Sequence, residues 1–104
     1  MNNPYYQSPS ELGLPLLELL GVEIQRDCIT TIEYGESVYG WNFCYCSVIK
    51  YLWRLGAKTK NANSDCYKII DYIDRIIARE PGAYAQLSNT RDRVENLIRI
   101  NLDA

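Results

Sequence analysis

Histidine is absent from the 104-residue chain, which removes the imidazole base of Ser/His and Cys/His nucleophilic systems. Glycine never falls into a GxxxxGK[ST] or GxGxxG loop, so ordinary P-loop kinase and dinucleotide chemistry lack their usual phosphate cradle. Cysteine occurs four times, as Cys28, Cys44, Cys46 and Cys66, without CxxC spacing. Such thiols read as reduced core residues rather than a disulfide framework. No run approaches the 18 or so apolar residues of a membrane span, and Met1 to Ser10 lack a secretory layout. These absences predict a cytoplasmic protein with no membrane partner. A net charge of −2 also argues against duplex nucleic acid, whose affinity rests on many cationic contacts to phosphates. A small anion needs only two or three local cations.

What is present suits one folded unit. The chain is 47% hydrophobic and 23% charged, within the globular range, and its length predicts a single domain over residues 1–104. After a polar, aromatic opening, Ser8-Pro9-Ser10-Glu11 has the form of a capping box with proline at the first helical position. Leu12 to Leu20 then reads as a buried but irregular element, weakened by Gly13 and Pro15 and ending at Gly21. Between Val22 and Tyr34 the β-branched content rises, predicting either a short strand or hairpin or a connecting loop with a helical turn at Thr30 to Glu33.

The spacing of Trp41, Tyr45, Val48 and Leu52 predicts a central helix from Tyr39 or Gly40 to Leu55, closed by Gly56. A polar connection from Ala57 to Asn63 leads to a second helix, capped by Asn63 or Ser64 and running to Arg79. Its apolar stripe is Cys66, Ile69, Ile70, Ile73, Ile76 and Ile77, and Pro81-Gly82 stops it. A last helix, about Ala83 to Leu102, has a narrower apolar face for packing outside the bundle or for a subunit contact. The fold class expected is mainly α, a helical bundle that becomes α+β if the hairpin forms.

Chemistry concentrates on the two central helices. Lys50 and Arg54 are four apart, with Lys58 just beyond the helix end, so the three offer donors for phosphate oxygens. The plainer alternative pairs Lys50 and Arg54 with Asp71 and Asp74 on the next helix, and both arrangements can coexist. Tyr51, Trp53 and Tyr72, with Trp41 and Tyr45, offer aromatic faces for a base, although aromatics at helical spacing more often build a core. Ser64 and Asp65 open the second helix, where free N–H groups can meet phosphate or Asp65 can act as a cap. Asp71 and Asp74 alone are too few acidic ligands for a metal, so neither metal nor other cofactor is expected.

The block from Phe43 to Lys58, followed by Asp65 and by Lys68 to Ile77, resembles a phage nucleotide kinase-like family catalogued as a domain of unknown function. The likeness rests on Lys50, Tyr51, Trp53, Arg54, Gly56, Lys58, Asp65, Lys68, Tyr72, Asp74 and Arg75, with Asn3-Pro4-Tyr5-Tyr6 similar to that family's opening. It covers about two-fifths of the chain. The resemblance implies a nucleotide or nucleotide-derived ligand, a homo-oligomer in a host cytoplasm, and the chemistry of a P-loop-less deoxynucleoside monophosphate kinase. Phosphate would then lie on Lys50, Arg54 and Lys58 and the base near Tyr51, Trp53 or Tyr72. Ser47, Asp65, Lys68, Asp71, Asp74 and Arg75 would support them. The family's Gly-Asn pair is replaced by Cys46-Ser47, and the histidine of its opening is missing. Turnover is therefore left open, and the alternative is a non-catalytic anti-defence protein that sequesters a nucleotide signal or binds a host protein.

Overall fold

Five helices carry the computed structural model, which describes residues 6–57 and 62–103, with the side chains of 101–103 outside the description. They are α1 (Gly13–Leu19), α2 (Cys28–Tyr39), α3 (Phe43–Trp53), α4 (Asn63–Arg79) and α5 (Tyr84–Asp103). No strand occurs among the described residues, so the fold is mainly α: of the two readings of Val22 to Tyr34 the strand or hairpin is absent, and the helical turn at Thr30 to Glu33 is part of the longer α2. Its local chemistry explains the outcome. Thr30 N–H donates to Asp27 Oδ1 at 2.8 Å while Asp27 N–H donates to Thr30 Oγ1 at 3.1 Å, a reciprocal cap with threonine in place of the usual Glu or Gln. Thr31, fully buried, adds a bond from its hydroxyl to the Asp27 carbonyl at 2.8 Å. These bonds outweigh the β preference of the Ile29 to Ile32 run.

The other elements follow their apolar patterns. At the N-terminal end Ser10 does the capping rather than Ser8, its Oγ accepting from Gly13 N–H at 3.0 Å. Pro15 is tolerated because it stands in the first turn of α1, where its missing N–H is no loss. Gly40, in the left-handed region at φ 69°, separates α2 from α3, and Asn42 caps α3 by accepting from Tyr45 N–H at 3.1 Å. The central helix therefore starts later than expected, and Trp41 precedes it. For α4 the expected bounds hold, but the cap position belongs to Ala62 and carries no side-chain cap bond.

α3 is the middle of the bundle, touching α1, α2 and α4, and α5 closes the far side against α4 and α1. Val48, Ile49, Leu52 and Trp53 of α3 meet Ile69 and Ile73 of α4 and Leu87 and Val94 of α5 in one continuous core. Each such side chain contributes about 1.5–3 kcal/mol when removed from water. The bundle is flat, 40 × 37 × 18 Å, so a single helix diameter or two spans its thin dimension. α1 and α3 approach so closely that a Cβ on Gly13 would lie 1.7 Å from the Leu52 carbonyl oxygen. Gly13→Ala should therefore destabilise by about 3 kcal/mol through overpacking. Gly82→Ala, with nothing within 4 Å of its added Cβ, should change stability by less than about 0.5 kcal/mol; urea titration of both variants checks the contrast.

Candidate functional site

Where α3 runs beside α4, Tyr51 and Tyr72 stack with ring centroids 6.1 Å apart and planes inclined by 15°. Cations from both helices gather on that pair. Arg54 Cζ lies 4.8 Å, Lys68 Nζ 5.2 Å and Lys50 Nζ 5.9 Å from the centre of the Tyr51 ring, and Arg75 Cζ lies 5.7 Å from that of Tyr72. All fall within cation–π range, where each contact contributes roughly 0.5–1 kcal/mol at an exposed site. Beside the stack is a hollow of about 230 Å³, whose lining includes Ile32, Phe43, Cys46, Ser47, Lys50 and the two tyrosines.

The positive groups divide into two kinds. Arg54 is spoken for: its Nη2 donates to Asp65 Oδ1 at 3.2 Å and its Nη1 to the Tyr6 hydroxyl at 3.2 Å, and both members of the ion pair are buried. Burial works against the guanidinium's charge, but Tyr6 and Asp65 outweigh it and hold the group above its ordinary value. Arg54 Nε and Asp65 Oδ2 have no hydrogen-bond partner, so only one of the two parallel bonds available to such a pair is made. Arg75 has its own carboxylate, Asp71, at 3.2 Å on the helix surface. Lys50 and Lys68 are exposed and form no ion pair among the described residues.

Several expectations are thereby corrected. Arg54 pairs with Asp65 rather than with Asp71 or Asp74, and Asp65 serves that ion pair rather than acting as a cap. Asp74 instead takes Arg91 of α5, at 2.7 and 3.1 Å, and that bond, against a smaller burial penalty, holds the Arg91 guanidinium above its usual value. Trp53 does not face the hollow. It is fully buried, because two residues from Tyr51 is about 200° around a helix, so the indole points into the core. Lys58 and the Asn3 to Tyr5 opening lie outside the described residues. Of the sequence-predicted set, Ser47, Lys50, Tyr51 and Tyr72 share the hollow and Lys68 and Arg75 flank it. Phe43 and Tyr6 lie in the segments that carry the resemblance, but no site role was assigned to either. Phe43 was accessible through helical spacing, four before Ser47 and seven before Lys50.

The hollow's thiol is not a ready nucleophile, since burial, and then Glu36, push Cys46 up from its ordinary value. A second hollow, of about 350 Å³, lies against Tyr39, Trp41 and Tyr45, with Trp41 seated on Gly35 so tightly that a Cβ there would come within 2.0 Å of the indole. Nearby, Glu23 accepts hydrogen bonds from the hydroxyls of Tyr34, at 2.9 Å, and Tyr39. No family model, curated protein or solved structure matches the chain.

Removing one partner of a buried ion pair leaves the other unpaired, so Asp65→Ala should lose about 3–5 kcal/mol. The double variant Arg54→Met, Asp65→Leu should recover most of that loss in a urea double-mutant cycle. At high pH, Tyr39 should ionise late, because its bond to Glu23 pushes its phenol up to about 12. The neutral phenol is favoured in the fold, so its contribution to stability is complete below pH 10 and disappears as pH rises through 12. Ultraviolet titration checks this, and Glu23→Gln should move the late step to lower pH.

Proposed function

We propose that the chain is a nucleotide-binding protein of the phage kinase-like type, which holds a nucleotide in the hollow beside Tyr51 and Tyr72. The observation carrying this reading is the convergence of Lys50 from α3 and Lys68 from α4 on one tyrosine ring, with no carboxylate paired to either among the described residues. Two uncompensated ammonium groups beside stacked aromatics offer a phosphate its counter-charges and a base its π-surface. The resemblance of this segment to a P-loop-less nucleotide kinase family supports the same ligand class. Arg54 belongs to the support rather than to the ligand shell in this reading, since Asp65 and Tyr6 already occupy its Nη groups.

Phosphoryl transfer at such a site would depend on positioning and charge neutralisation rather than a covalent nucleophile. Among the described residues the ionisable side chains lining the hollow are Cys46, Lys50, Tyr51 and Tyr72, and the raised Cys46 thiol stays protonated at neutral pH. That lining favours a second reading, retention of the nucleotide without turnover, as a protein that sequesters a nucleotide signal requires. Thermal-shift screening against mononucleotides, dinucleotides and cyclic nucleotides tests the shared premise. Ligand at a hundred times its Kd should stabilise by about 2.7 kcal/mol, a shift of several degrees for a domain of this size. Lys50→Ala with Lys68→Ala should abolish the shift while leaving the unliganded melt unchanged. No shift with any nucleotide would end the proposal in favour of a protein partner, and a phosphate-transfer assay on any hit separates kinase from sequestering protein.

A further inference from the structure

Phe43 is 73% exposed, more than any other large hydrophobic side chain described, yet it stands in the wall of the hollow rather than alone on the surface. Its ring meets Tyr72 edge to face at 5.9 Å and 73°, Tyr72 stacks on Tyr51, and Tyr51 carries the lysines. The aromatic row thus has an uncharged end at Phe43 and a cationic end at Tyr51. Along α3 the same order recurs, since Phe43, Ser47 and Lys50 are spaced by four and three residues and so share one face. Ser47, half-buried in the lining between them, offers a hydroxyl that can both donate and accept. At about 1.5 Å per residue, Phe43 and Lys50 stand roughly 10 Å apart along the helix.

Building on the nucleotide-binding reading, we infer that the hollow takes a mononucleotide in one orientation, with the base on Phe43, the sugar at Ser47 and the phosphate between Lys50 and Lys68. Each turn of α3 then reads one part of the ligand. The ring of Phe43 supplies a stacking face that tolerates any base, while the ammonium groups recognise the 5′-phosphate. At about 230 Å³ the hollow is smaller than the roughly 300–1,000 Å³ of pockets that enclose a small molecule, so it would hold one nucleotide unit partly open to solvent and has no room for a second.

The test is isothermal titration of the full chain and of Phe43→Ala and Phe43→Leu with the four deoxynucleoside monophosphates and with deoxyribose 5-phosphate. Sedimentation is run on each protein alongside. Phe43→Ala should weaken every nucleotide at least tenfold and leave deoxyribose 5-phosphate within twofold, with Phe43→Leu in between and no change in sedimentation or melting temperature. Equal nucleotide affinity in the full chain and Phe43→Ala, while Lys50→Ala still weakens binding, overturns the orientation but leaves the nucleotide site standing. A loss of self-association in Phe43→Ala without a selective loss of nucleotide assigns the ring to a subunit contact and also overturns the inference. A full chain that binds none of the four overturns it together with the reading it rests on.

Discussion

Where α3 ends and α4 begins, the Arg54 guanidinium and the Asp65 carboxylate are both withdrawn from water and meet at 3.2 Å. Neither charge is tolerable there without the other, so the pair ties the C-terminal end of α3 to the first turn of α4. From that junction the helices run side by side, and their relative rotation decides which residues face each other further along. Tyr51 finds Tyr72, and Lys50 and Lys68 come to the same ring, only in that register. Burying two ions costs desolvation that a single contact offsets only in part, and Arg54 Nε and Asp65 Oδ2 leave the second bond unmade.

The candidate site inherits this division of labour. Tyr6 reaches Arg54 from the N-terminal segment, so the start of the described chain, the end of α3 and the first turn of α4 share one polar junction beneath the tyrosine stack. Arg91 makes a more exposed tie between α4 and α5, joining Asp74 of α4 to Glu95 of its own helix. Charges near the hollow therefore separate into those that hold helices together and those that remain available to a ligand.

α4 was legible in the amino-acid sequence because Cys66, Ile69, Ile73 and Ile76 repeat at helical spacing and all are buried. α2 was not. Its buried positions are only Cys28, Thr31 and Gly35, too few for a stripe, and Ile29 and Val38 face outward. The signal that decides it is the Asp27–Thr30 cap, a local hydrogen-bond pattern that hydrophobic periodicity does not register. For the site, spacing identified which residues share a face of α3 but not which face α4 would meet. The Arg54 partner was therefore misassigned, and Trp53 was grouped with Tyr51 although the helix turns them to opposite sides.

The two tryptophans of the chain occupy contrasting surroundings, a consequence of that same turn. Trp53 sits wholly inside the core with its indole N–H unbonded, whereas Trp41 lies at the α2 edge, half-buried between Tyr39 and Tyr45. One is a fluorophore in an apolar medium shielded from aqueous quenchers. The other is only partly shielded, beside phenol rings, so the protein carries one optical reporter for its interior and another for its rim.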